Sequence, residues 1–499
     1  HDTESITLYG TCQNPHPLRL VLAETLRMNE NKIRIIASTI GGAFGLKMHG
    51  HPEEPLICLM TKLIRRPVKW VENREECLLI GAREQQHKVE MAFDSDGIMT
   101  GLRDHFLANI GAPSACPGWG MAFLTGLTMP GPYKVENIDV HMNAVTTNKP
   151  SWNAARGYGK ESTAIALELA MDNAARQFGI SPIDLRLRNF ITKDQFPYPS
   201  PTGLVYDSGD YGGVLLKALE TIGYEDWKDK QKTALADGRH IGIGMAFELT
   251  PEGGTIPGTM VAGYDSSSVR VGPDGTVRVL TGITSPGTHN GTAIAQIVAD
   301  ELGIDMDRIE VLQGDTNSSP YGFGNYSGRS TIVGGGSAAL AAKDVRDKIN
   351  AVAAALLEVE IDTLSLSEGI FSSSDNGDTT LTFAEVCYAS YTRAYDVAMC
   401  IDPPLEATRT FKPPGISHLP DENGRINPYP SYSNAVYVVV CEVDIETGKI
   451  DLLSLAAAHD CGKVINPILV EGQVCGAFAM GLGGALTEDV QYDANGVQL

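Results

Sequence analysis

Three glycine-rich stretches carry the residue types that could do chemistry: Gly41-Gly42-Ala43-Phe44-Gly45, Ala155-Arg156-Gly157-Tyr158-Gly159 and Asn325-Tyr326-Ser327-Gly328-Arg329-Ser330-Thr331. Each joins glycines to an aromatic ring or an arginine, and each falls between a predicted strand and a predicted helix. Glycine lets backbone amides come close to a ligand, and amides at a helix start favour an anion such as phosphate. One such loop is most often an ordinary turn. Three of them, with a further run at Gly334-Gly335-Gly336, point to a large phosphate-bearing cofactor embraced at several places.

The elements that must position these loops alternate in type. Residues 33–36 read as a strand feeding the first loop, 54–63 as a helix, and 67–71, 87–93 and 101–108 as strands. Residues 161–178 have helical spacing and Gly179 supplies the stop. Residues 184–189 make a last helical turn before Pro197, Pro199 and Pro201, where a domain boundary is expected. Beyond it, 214–222, 292–302 and 337–359 read as helices and 241–247 as a strand. Hairpins are predicted around Pro273-Asp274-Gly275 and around Ile445-Glu446-Thr447-Gly448, and residues 402–433 as a surface excursion. The class is α+β: two large mixed α/β domains, 1–195 and 196–499.

The net charge of -22 argues against nucleic acid and anionic membrane surfaces as partners, and no run is expected to approach a membrane span. Nine cysteines, at 12, 58, 77, 116, 387, 400, 441, 461 and 475, form no CxxC pair. That spacing argues against zinc or an iron–sulfur cluster in this chain and suits reduced thiols in a cytoplasmic setting. The chain opens within a strand pattern and stops just after one, so it is expected to be a fragment or one piece of a split polypeptide. The N-terminal part of the first domain and the C-terminal part of the second would then be missing.

Eight motifs in fixed order carry a family resemblance. They are Thr11-Cys12-Gln13-Asn14, Gly41 to Lys47, Pro67-Val68-Lys69-Trp70, Thr147-Asn148-Lys149-Pro150, Ala155 to Gly159, Asp184 to Asn189, Gly328-Arg329-Ser330-Thr331, and Cys461-Gly462 through Asn466-Pro467 to Glu471-Gly472-Gln473-Val474. In this the chain resembles the molybdenum-binding large subunit of the xanthine oxidase family, especially its bacterial branch similar to aerobic carbon monoxide dehydrogenase. The resemblance implies molybdenum held by a pyranopterin dithiolene, as the cytosine dinucleotide in bacteria, with no side chain of this chain as metal ligand. It also implies hydroxylation of a small-molecule substrate with water-derived oxygen, and electrons leaving through 2Fe–2S clusters and FAD on partner subunits.

Carried over residue by residue, the catalytic positions are Gln13, Phe44, Arg156 and Tyr158. Gln13 matches the glutamine that hydrogen-bonds the apical oxo group; an exposed loop glutamine is the alternative. Tyr158 matches an aromatic against the substrate ring, with a core tyrosine as the alternative. The cofactor-binding positions are Gly42, Ala43, Phe44, Gly45, Arg156, Gly287, Thr288, His289, Ser327, Gly328, Arg329, Ser330, Thr331 and Gln473. The usual Gly-Gln-Gly loop is replaced by Pro286 to Gly291, so Thr288 or His289 takes over the glutamine's contact or the contact is missing; for His289 a helix-cap neighbour is the favoured reading. Asp460 reads as a turn residue.

Other departures narrow the chemistry. Met48 and Ser114 stand where purine-oxidising relatives carry charges, which disfavours purines. Gly157 stands where carbon monoxide dehydrogenases carry a copper-binding cysteine, and soft Cu(I) needs a thiolate. The family's general base, a glutamate in a Gly-x-Gly-Glu motif, has no match in these 499 residues. Either a further chain supplies it, or the chain is a non-catalytic scaffold or fragment. A neutral pocket built from Met48, Tyr158 and Phe247 would suit an uncharged N-heteroaromatic or aldehyde substrate.

Overall fold

The computed structural model describes residues 4–37, 39–48, 50–78, 83–112, 118–254, 263–375, 377, 379–397, 403–417 and 419–499. Ser114, Cys116 and Cys400 lie outside the described residues. Compact packing groups the chain into two units, His1–Glu72 with Gly253–Pro414 and Ile465–Val470, and Asn73–Glu252 with Gly415–Val464 and Glu471–Leu499. The sequence halves 1–195 and 196–499 are each divided between the units, because strands distant in sequence share a sheet. Both units mix helices and sheets, as the α+β class anticipates.

In the first unit, strands Ile6–Gly10 and Ile33–Ala37 pair in parallel. A parallel pair needs a crossover, and helix Pro15–Leu26 supplies it, starting on prolines whose missing N–H costs nothing at a first turn. Ile6, Leu8, Ile33 and Ile35 bury against Leu18 and Leu22 of that helix and Cys58 of helix Glu53–Ile64. A four-stranded sheet runs in the order Ile309–Gln313, Val277–Thr281, Ser266–Val271, Glu406–Thr410, and only its first pair is parallel. Val269, Val271, Val277 and Val279 alternate onto one face, as the two-residue strand period requires. They meet Ile294, Val298 and Leu302 of helix Asn290–Leu302, and Ala338, Ala341, Ala342 and Val345 of helix Gly336–Leu357, at helical spacing.

In the second unit, Ile450–Asp460, Ser431–Val443 and His240–Glu252 form an antiparallel sheet. A second sheet orders Glu84–Phe93, Met99–Asn109 and Asn137–Val145. Helix Lys160–Phe178 ends on Gly179 as the sequence predicts. Glu168 on this helix is buried and accepts from Arg186 Nε at 2.9 Å, Tyr133 Oη at 2.5 Å and the Phe247 N–H at 3.0 Å. Arg186 also donates to Asp172 at 2.7 Å. A buried charge is tolerated when paired and hydrogen-bonded in this way.

Several expectations are corrected. Residues 67–71 make no strand, and Trp70 and Val71 are exposed: the segment pairs with no strand among the described residues. The excursion 402–433 contains strand Glu406–Thr410, which adds to the free edge of Ser266–Val271. Phe247 does not line a pocket. It is buried, with its ring 5.0 Å from Phe190 and 5.1 Å from Tyr211, because strand alternation turns it onto the core. Helix Pro467–Leu486 is long and apolar enough, by length and composition alone, to cross a bilayer. Its glycines and alanines dilute the run, yet Glu471 is its only charged residue.

Candidate functional site

The loops of the first unit converge on Gln13, which is 3% exposed. Its main-chain N–H donates to the Lys47 carbonyl at 2.9 Å, and its carbonyl accepts from the Asn325 N–H at 3.2 Å and from Thr284 Oγ1 at 2.8 Å. Its side chain accepts from the Gly45 N–H at 3.1 Å and donates to the Asn325 carbonyl at 2.7 Å. The amide has two N–H groups, so one remains to donate elsewhere. This burial overturns the alternative of an exposed loop glutamine. Gly324, at φ 78, lies so close to the Gln13 carbonyl that any Cβ would collide with it. Asn325 Oδ1 then accepts from Ser330 Oγ at 2.6 Å and from Asn290 Nδ2 at 3.2 Å.

Gln13, Gly45 and Ser330 are thus brought together with Thr284, Asn290 and Asn325. In the same loops Phe44, Gly287, His289, Ser327 and Thr331 are exposed. Gly42 and Ala43 complete the turn that presents Phe44, with the Phe44 ring folded back toward Gly42. Backbone strain marks the same places. Among the described residues, eight non-glycine residues have positive φ: Arg27, Phe44, Arg65, Tyr158, His289, Ser327, Glu358 and Glu368. Arg27, Arg65 and Glu358 close helices and Glu368 sits in a tight turn between strands. The other four all lie in loops picked out from the sequence. Such conformations cost roughly 1–3 kcal/mol and persist where surrounding structure over-determines them.

Arg329 departs from expectation. Its side chain is fully buried, pairs with Asp265, donates to the Gly324 carbonyl at 2.7 Å and lies 4.8 Å from the Tyr326 ring. It holds the loop from beneath, and Asp265 in turn accepts from the Phe323 N–H at 3.0 Å. Ser330–Gly335 forms a π-helical turn running straight into helix Gly336–Leu357, and such turns gather at functional sites. His289 is the N-cap residue of helix Asn290–Leu302 without a side-chain cap bond. Met48 is buried.

The first unit fits a phosphate-bearing pterin by its own chemistry. Among the described residues, Thr288 Oγ1 and Tyr326 Oη are buried without a hydrogen-bond partner, and such groups require one. Gly287 and Thr288 lie at the start of helix Asn290–Leu302, whose amides and dipole favour an anion.

In the second unit, Arg156 donates to the Gln473 carbonyl at 2.9 Å and to Gln473 Oε1 at 3.3 Å. Burial pushes its pKa below the ordinary arginine value. Tyr158 is half-buried and packs at the edge of the core cluster. Between them, Gly157 has φ 114, and a Cβ there would run into the Glu161 carboxylate. Glu161 accepts from the Gly159 N–H at 2.8 Å and from Arg83 at 3.4 Å, and burial raises its pKa. Asp460 accepts from the Gly462 N–H at 3.0 Å, an ordinary turn. Sequence reading missed Thr284, Asn290, Asp265 and Glu161. Only Asn290 left a signal, by standing in the odd Pro286 to Gly291 loop.

A glycine-loop scaffold of this kind, in two mixed units, is that of a cofactor-binding protein, and comparison with known proteins says which. Models of the molybdopterin cofactor-binding domain match residues 1–190 and 217–499. The chain belongs to this family, as a molybdenum-binding large subunit of the xanthine oxidase family. It is 33% identical over 509 residues to the carbon monoxide dehydrogenase large chain of Afipia carboxidovorans, covering 98% of this chain and 60% of that one. It is 31% identical over 506 residues to the nicotine 6-hydroxylase large subunit of Paenarthrobacter nicotinovorans, covering 99% and 60%. The structure of quinoline 2-oxidoreductase from Pseudomonas putida 86 superposes with a TM-score of 0.90 at 31% identity, over 100% of this chain and 62% of that one. The chain thus spans about 60% of the length of these curated relatives.

Proposed function

We propose that this chain is the cofactor-holding part of a molybdenum hydroxylase acting on an N-heteroaromatic or aldehyde carbon. The observation that carries the reading is Gln13, a buried amide fixed by two loops with one N–H to spare. Gly42 to Gly45, Gly287 to His289 and Ser327 to Thr331 would hold the pterin and its phosphates. Arg156 and Gln473, paired with each other in the second unit, are proposed cofactor contacts as well. When bound, the group supplies oxygen insertion and accepts the electrons. The chain's own part would be positional: Gln13 would offer its remaining N–H to an oxygen of the bound group, Phe44 and Tyr158 would offer aromatic faces, and Arg156 a cation.

The cytosine dinucleotide form of the cofactor, the cytoplasmic setting, and 2Fe–2S and FAD partner subunits belong to the same proposal. Relatives described as large chains and large subunits support it, as do free thiols at seven described cysteines. A general base would come from a Gly-x-Gly-Glu segment outside these residues, in the same polypeptide or a further chain. Gly157 disfavours copper-dependent carbon monoxide oxidation: it carries no thiol, and a Cβ there would meet the Glu161 carboxylate.

The test is metal and nucleotide analysis of the protein from its native source, with co-purifying chains identified by mass. Molybdenum with released CMP, alongside iron–sulfur and FAD-binding chains and a Gly-x-Gly-Glu segment, is the expected result. A preparation without molybdenum would leave the alternative of a non-catalytic scaffold.

A further inference from the structure

On a sheet of the second unit, two histidines and an aspartate stand together, apart from every residue assigned above. His105 in strand Met99–Asn109 is the register partner of His141 in the parallel strand Asn137–Val145. Residues i and i+2 share a strand face, which sets Asp139 beside His141. The two imidazole rings are 5.0 Å apart, edge to face, and His105 Nε2 lies 3.5 Å from Asp139 Oδ2. One ligand atom from each of the three residues falls within 4.8 Å of the others. The side chains of His105 and Asp139 are 48% and 45% exposed, so an ion can enter directly from solvent.

We propose that His105, Asp139 and His141 form a surface site for a divalent transition metal ion of the zinc, cobalt or nickel type, with water completing its coordination. Two imidazoles and one carboxylate suit these ions, while calcium and magnesium want oxygen ligands throughout. The competing cation is Arg103, whose Nε donates to Asp139 at 2.8 Å. Its other arm meets Glu90 at 3.0 Å, so Arg103 keeps a counter-ion when Asp139 turns to the metal. Lys88, the cross-strand neighbour of His105, also pairs with Glu90, at 3.6 Å. The backbone ladder fixes the register of the three ligand-bearing residues, so binding would brace the two strands and stabilise the unit by mass action.

Cobalt(II) titration of the full chain, after dialysis against a chelator, tests this by absorbance and melting temperature. One equivalent should bind without a thiolate charge-transfer band, raise the melting temperature by about 2–4 °C, and be displaced by zinc. His105→Gln and His141→Gln should each weaken binding at least about tenfold and leave the metal-free melting temperature unchanged, since both side chains are on the surface. The proposal is overturned by an absence of saturable binding or by binding that survives both substitutions. A thiolate band would overturn it too, placing the ion on an exposed cysteine such as Cys461 or Cys475.

Discussion

Gln13 donates its side-chain amide to the main-chain carbonyl of Asn325 at 2.7 Å, joining positions 312 residues apart. The same side chain accepts from Gly45, so one glutamine fixes two glycine loops against each other. Gln13→Leu keeps the volume and removes both bonds. Each buried group left unpaired costs about 1–3 kcal/mol. A lower urea midpoint is expected, together with lost molybdenum content in protein from the native host; an unchanged midpoint would show that the clamp is not structural.

Gly157 and Gly179 separate two kinds of glycine requirement. Both have positive φ, but at Gly179 a Cβ would meet nothing within 4 Å, whereas at Gly157 it meets the Glu161 carboxylate. Gly179→Ala should cost about 1–2 kcal/mol, the ordinary left-handed penalty. Gly157→Ala should cost about 1–3 kcal/mol more through overpacking. Equal losses in denaturant titrations would contradict the packing argument.

His16, two helix positions from the Gln13 loop, is 2% exposed. Burial first, and then nearby Arg19, push its pKa down to about 4. In the unfolded chain a histidine titrates near about 6.5. Between those values the unfolded chain binds a proton that the fold refuses, so stability is complete above about 6.5 and falls as pH drops toward 4. The loss attributable to His16 reaches about 3 kcal/mol. His16→Gln should flatten the stability profile between pH 6.5 and 4, and a profile parallel to that of the parent chain would refute the assignment.

Arg186 joins Glu168 and Asp172 in the second unit, with 1% of its side chain exposed. Arg186→Met keeps the stem and strands Glu168 as a buried charge. Breaking a buried pair from one side costs about 3–5 kcal/mol. Chemical denaturation of the variant should show a loss of that size; a loss under 1 kcal/mol would mean that solvent reaches Glu168.

Much of the candidate site was legible because strained turns leave a chemical mark in the sequence. Glycines at 42, 45, 157 and 159 announced loops that the structure builds with positive φ, and helix 161–178 announced its own stop at Gly179. What stayed hidden were partnerships. Nothing near Arg329 reveals that Asp265, 64 residues earlier, turns its guanidinium inward. Nothing near Arg156 reveals Gln473. Phe247 alternates like any strand residue, and only the rings of Phe190 and Tyr211 make it core.

The sequence by itself determined the family, the glycine loops and the helices whose periodicity is local, since these depend on φ preferences and on spacing within a few residues. The tertiary structure alone decided that Gln13 is a buried clamp, that Arg329 faces inward, that Glu161 excludes a side chain at Gly157, and that His105 meets Asp139 and His141. Each of these is a contact between distant residues, set by strand register and by the need to pair every buried polar group, and no local pattern encodes it.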